Sequence, residues 1–208
     1  MKRLVAFGCS NTYGVGLRDC WKAAGAPFAR AGDLPSQYAW PKILADLLGR
    51  MCCNNGISSA SNLEILQTIL SYKFVSDDVV VVLWTFSDRD MIFVPRESLI
   101  RLHSYSDTHL LKPWTEVHSS YDLKMRTWLQ IHHAYHYLKN IGVKFYFLET
   151  KSPLDSICTP PNWLKNIEFL DIDIQKIQNI YPLAQDDLHP GEECHQEYAR
   201  LIWNQIVK

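Results

Sequence analysis

The chain has 208 residues, of which 47% are hydrophobic, 12% aromatic and 21% charged. At ~150 residues per domain this is the length of a single α/β unit with a substantial core, which excludes wholesale disorder. Lys and Arg number 21 against 22 Asp and Glu, a net charge of −1, so no global field draws the chain to nucleic acid or to an anionic membrane.

Residues 4–7 form a short apolar run that stops at Gly8, the pattern of a buried strand entering a tight turn. Residues 9–16 then read as a polar loop, and residues 17–36, with Gly25, Pro27, Gly32 and Pro35, as a long irregular excursion. Trp40, Ile43, Leu44, Leu47 and Leu48 share one face of a helix that Pro41 opens and Gly49 stops. Residues 51–53 predict a second strand ended by Asn54-Asn55-Gly56, and residues 62–72 a helix with Leu63, Leu66, Ile69 and Leu70 inward. Residues 79–84 are apolar on both faces, as a central parallel strand requires. Residues 87–117 read as an insertion with short elements. A long helix at 121–140, a strand at 143–148, a loop-rich stretch at 151–181 and a closing helix at 194–207 complete the chain.

Strands that alternate with helices predict a doubly wound parallel sheet in one domain, 1–208. In such sheets ligands bind outside the carboxyl ends of the strands. The longest apolar runs are far too short to span a bilayer. Six cysteines without a CxxC pair, and only a four-residue apolar stretch after Met1-Lys2-Arg3, predict a reducing, cytoplasmic setting.

The loop after the first strand holds Ser10, a hydroxyl presented at the sheet edge that needs a base to become a nucleophile. Asp186-Asp187-Leu188-His189-Pro190 supplies one. A carboxylate and an imidazole on one short turn let Asp186 hold one ring nitrogen while the other takes the proton of Ser10. Asp187 is the alternative partner. Gly56, at the end of the second strand, allows close backbone approach and an N–H for an oxyanion. Cys9, the neighbouring nucleophile, is expected to point into the core.

These residues resemble the SGNH or GDSL-type hydrolases. Gly8-Cys9-Ser10-Asn11-Thr12 matches the family's first block, Asn54-Asn55-Gly56-Ile57-Ser58 its second, and Asp186-Asp187-Leu188-His189 its last. The resemblance implies a flavodoxin-like three-layer α/β/α sandwich with a central parallel sheet. It implies a Ser10–His189–Asp186 triad, an oxyanion hole from the N–H groups of Ser10 and Gly56, and no cofactor or metal. Its substrates are lipid esters, thioesters and acetylated sugars, and an O-acetyl or short-chain ester is expected. The third block departs from the family: Trp84-Thr85-Phe86-Ser87-Asp88-Arg89 holds no asparagine. Ser87, Thr85, Arg89 or Asn62 is then the substitute donor. Acyl transfer uses the same triad, and an inactive glycan- or protein-binding module fits the missing asparagine.

Trp84, Phe86 and Trp114 are candidate walls of the substrate pocket, with both irregular segments bordering it. His132 and His136 are i,i+4, but the Glu of His-Glu-x-x-His is absent, so a helix face is expected instead of a metal site. His103, His109 and His118 read as surface residues. Gly14-Val15-Gly16 lacks the third glycine of a dinucleotide loop.

Overall fold

The computed structural model describes residues 2–22, 30–31, 34–92, 100–102, 111–151 and 158–207. Its centre is a four-stranded sheet formed by β1 (Arg3–Gly8), β4 (Met51–Gly56), β5 (Val79–Trp84) and β8 (Lys144–Glu149). The strands are parallel and ordered β4-β1-β5-β8. A parallel bridge from Phe147 to Phe169 adds the beginning of a further strand. Two short antiparallel pairs lie outside this sheet: β2 (Trp21–Lys22) with β3 (Arg30–Ala31), and β6 (Asp90–Ile92) with β7 (Ile100–Leu102).

All six residues of β5 are buried, as are Leu4 through Phe7 of β1, because helices cover both faces. One face packs Val5, Phe7, Val80 and Val82 against α3 (Asn62–Ser71) and α5 (Ser120–Ile141). The other packs Leu4, Ala6, Val79 and Val81 against α2 (Trp40–Leu47) and α7 (Glu192–Ile206). Each such Val, Leu or Phe side chain contributes about 1.5–3 kcal/mol on burial. The helices start and stop on local signals. Ser61 and Ser119 cap α3 and α5 by accepting from the N–H groups of Glu64 and Asp122, and α5 ends on Gly142 in the left-handed region.

The three-layer α/β/α sandwich is the expected one, with β4 longer than residues 51–53: Asn54, Asn55 and Gly56 remain in the strand, paired with Ala6, Phe7 and Gly8. The insertion at 87–117 contains β6, β7 and α4 (Leu111–Val117). Residues 93–99 and 103–110 of it, and residues 23–29 and 32–33 of the segment at 17–36, lie outside the described residues, as do His103 and His109. No helix among the described residues is long and apolar enough to cross a membrane.

The chain runs from β1 to β4 on one side and then crosses to β5 on the other. The sheet therefore has its switch point between β1 and β5, and their carboxyl ends flank a crevice there.

Candidate active site

Ser10 opens α1 (Ser10–Tyr13), a single turn of helix that begins as β1 ends. Cys9 packs in the core cluster of Val5 and Phe7, and it also lines, with Ser10 and Asn11, a cleft of about 610 Å³ at the switch point.

Asp186 and His189 sit on a tight turn between α6 (Ile174–Gln178) and α7, and His189 lines the same cleft. His189 Nδ1 lies 2.5 Å from Asp186 Oδ2. Asp186 Oδ1 accepts from the N–H groups of Leu188, at 3.1 Å, and His189, at 3.0 Å. Since a carboxylate only accepts, Nδ1 carries the proton and Nε2 is left as the basic nitrogen. The Asp186 side chain is 1% exposed and that of His189 23%. Burial alone would raise the Asp186 carboxyl. The hydrogen bonds from the His189 backbone and ring, with that of Leu188, outweigh it and hold the group below the usual carboxylate range. Asp187 is exposed, with φ of 56°.

The turn is closed on itself and docked on the loop after α1. Ala184 N–H donates to His189 O at 2.8 Å, and Gly191 N–H to Pro182 O at 3.0 Å. Gln185 N–H reaches across to Gly16 O at 3.1 Å. Gly16 has φ of +85°, and a Cβ there would stand 2.7 Å from the carboxyl atoms of Asp186. The Gly14-Val15-Gly16 sequence thus makes room for the acid of the turn.

Gly56 occupies a different place from the expected one. Its N–H donates to Asn54 Oδ1 at 2.9 Å, and its α-carbon lies so close to the Thr12–Tyr13 peptide that a Cβ would collide with it. Here glycine serves close packing of β4 on α1, and its N–H is not presented to an oxyanion. In the loop that follows, Ile57 and Ala60 donate to Gly8 O and Ile57 O, and Ser58 and Ser59 line the cleft. Ser59 holds φ of 61°, a left-handed conformation that costs a non-glycine residue about 1 kcal/mol or more. Sequence reasoning passed over Ser59 because the glycine that usually marks such a conformation is absent.

Of the four expected substitute donors for the loop after β5, the cleft takes one. Asn62 is buried and bridges α3 to this loop, its Oδ1 accepting from Thr85 N–H at 2.8 Å and its Nδ2 donating to Thr85 O at 3.0 Å. Thr85 and Ser87 are buried outside the cleft lining. Arg89 lines the cleft beside Phe86, with its guanidinium 5.3 Å from the centre of that ring. Trp84, expected in the pocket, is fully buried and packs edge-on against Phe147 at 5.6 Å. Trp114 packs near His118, and neither lines the cleft. Of the segment at 17–36, Leu17 and Arg18 line a smaller depression beside Gly16 and Glu192. Gln175 and Gln178 form part of the cleft wall from α6, a helix hidden inside a stretch read as loop. Its signal was Asp173, which caps the N–H of Lys176, with Ile174 and Ile177 three apart. On α5 the Nε2 atoms of His132 and His136 lie 3.0 Å apart, outside the cleft.

No protein-family model and no curated protein matches the sequence. Solved structures match it along its length. A member of the lipolytic G-D-S-L family from Veillonella parvula superimposes over 100% of both chains, with a TM-score of 0.54 and 12% identity. An acetyl-xylooligosaccharide esterase from Geobacillus matches 99% of this chain and 94% of its own, with a TM-score of 0.54 and 16% identity. The chain has the SGNH hydrolase fold. An acetyl xylan esterase from Butyrivibrio proteoclasticus extends the same likeness, with a TM-score of 0.64 and 10% identity. This chain covers 63% of that longer protein. Within the SGNH fold, the switch-point cleft lies between the loop that carries Ser10 and the turn that carries His189.

Proposed function

We propose that the chain is a serine esterase that cleaves a short acyl or O-acetyl ester. The observation that carries the reading is the Asp186–His189 pair, hydrogen-bonded at 2.5 Å, with His189 lining the same cleft as Ser10. A cleft of about 610 Å³ is in the range that holds a small ligand.

Ser10 Oγ attacks the ester carbonyl as its proton passes to His189 Nε2. Asp186 keeps the ring oriented and stabilises the imidazolium. The N–H groups of Ser10 and Ser59 receive the oxyanion; Ser59 takes the part expected of Gly56, whose N–H is committed to Asn54. His189 returns the proton to the departing alcohol, leaving an acyl-Ser10 ester. Water then attacks this ester as His189 takes its proton, the acid departs, and the proton returns to Ser10.

The test is turnover of a short 4-nitrophenyl ester. Ser10→Ala should lower kcat by about 1000-fold or more with the fold intact, whereas Cys9→Ala, a change in the core, should leave catalysis largely in place. Loss on Cys9→Ala with Ser10→Ala tolerated would contradict the assignment.

A further inference from the structure

His132 and His136 stand at positions i and i+4 within α5, on one side of a helix of 22 residues. The sequence predicts a plain helix face here because the glutamate that turns such a pair into a hydrolytic metal centre is missing. That glutamate supplies the base, whereas the two imidazoles supply the ligands. The structure brings the ligands together. The two Nε2 atoms are 3.0 Å apart, with ring centroids at 4.3 Å and planes at 63°. With one ring protonated on Nε2 the pair is a hydrogen bond. With both rings protonated on Nδ1, the two Nε2 lone pairs are left for one shared ligand.

Both rings are braced. The Trp163 indole stands edge-on to His132, at 4.9 Å and 77°. Tyr135 stands edge-on to His136, at 5.2 Å and 90°, and itself packs on Phe145 of β8 at 5.6 Å. Rings held by their neighbours lose little freedom when a ligand binds. His132 is half-buried and His136 exposed, so an ion can reach the pair from solvent. At an ion ~2.05 Å from each nitrogen, the separation of 3.0 Å subtends about 94°. That is the near-right angle of a tetragonal or octahedral ion, whereas a tetrahedral one needs its ligands ~3.3 Å apart. Among the described residues no third His, Cys, Asp or Glu joins the pair, so water completes the coordination. Imidazole nitrogen suits late transition ions, whereas Mg2+ and Ca2+ take oxygen ligands.

We propose that His132 and His136 form a two-point chelate for a divalent late transition ion of tetragonal or octahedral preference, Ni2+ or Cu2+. The pair lies outside the cleft, so the site stands or falls independently of the esterase reading. The measurement is calorimetric titration of the natural protein with NiCl2 at about pH 7.5, where imidazole is largely neutral, and with ZnCl2 in parallel. Ni2+ is used because Cu2+ would oxidise the free cysteines. One Ni2+ should bind per chain, more tightly than Zn2+ does. His132→Ala or His136→Ala should weaken binding by about 100-fold, because each turns a two-point attachment into one, and the double variant should bind no more than background. His133→Ala, at the neighbouring exposed position, should leave binding unchanged. None of the three rings is buried and alanine favours the helix, so the variants keep the fold, which circular dichroism checks. Absence of Ni2+ binding to the natural protein overturns the proposal. So does binding that survives in the double variant, which places the ion on other histidines, or an equal loss in His133→Ala, the mark of a diffuse histidine surface. Zn2+ held more tightly than Ni2+ contradicts the right-angle geometry.

Discussion

The turn that carries Asp186 and His189 and the loop after β5 face the same cleft but are secured differently. In the turn, the backbone itself makes the site: the N–H groups of Leu188 and His189 grip Asp186, Ala184 closes onto His189 O, and Gln185 docks on Gly16. In the loop after β5 the anchors lie at the root, where Asn62 clamps Thr85 and Thr150 N–H donates to Trp84 O. The residues that reach the cleft, Phe86 and Arg89, come after these anchors. On the proposed mechanism the first arrangement fixes a proton path, and a change in it is also a change in the fold. The second fixes only where a side chain is displayed, so its chemistry can vary while the sheet stays the same.

The sharpest way to break this comparison is Gly16→Ala. The new Cβ would press on the Asp186 carboxylate and adopt an unfavourable φ as well. We expect a loss of about 2–3 kcal/mol in unfolding experiments and a fall in kcat/KM of roughly 100-fold as the acid is displaced. Gly49→Ala separates the two causes. Gly49 also has a positive φ, +61°, but nothing lies within 4 Å of its Cβ position. It should cost only the backbone strain, about 1 kcal/mol, and leave turnover alone. Equal effects of the two variants on activity would show that the contact with Asp186 does not matter.

A pH-dependent effect comes from behind the turn. His195 is fully buried on α7, and its Nδ1 accepts from Trp40 N–H at 3.2 Å. Burial, with the nearby charge of His189, pushes its pKa down to about 3 from 6.5. The unfolded chain therefore binds a proton that the folded chain refuses between those values. Stability must fall as the pH drops from about 6.5 toward 3, by on the order of 4 kcal/mol at the acid end. Asp186, with a lowered pKa, adds a loss in the same direction once the pH falls below the ordinary carboxyl range. Denaturant titrations of His195→Asn, which keeps an acceptor for Trp40, should show a shallower slope between pH 6 and 4. An unchanged slope would exclude His195 as the source.

Much of this was legible in the sequence because the governing constraints are local. Residues 79–84 can only be a strand covered on both faces, and Asp186 and His189 are close enough in the chain for one turn to join them. The errors share a physical cause. At Gly56 the sequence predicts an oxyanion donor because glycine permits close approach. It does, but the close neighbour is the Thr12–Tyr13 peptide, and sequence does not say which neighbour a glycine admits. Ser59 adopts the left-handed conformation without the glycine that would announce it. Trp84 ends a strand at the cleft, and only three-dimensional packing shows that its ring turns toward Phe147. Asn62 has the right chemistry for a donor, but its amide is spent on Thr85.

The central claim, that Ser10 is an activated nucleophile, is tested most directly by reaction of the folded protein with a fluorophosphonate probe, read by peptide mass spectrometry. The account predicts one adduct, on the peptide that contains Ser10, absent from Ser10→Ala and strongly reduced in His189→Ala, since the serine hydroxyl reacts only while a base receives its proton. No adduct on the natural protein, or an adduct undiminished by Ser10→Ala, would contradict it.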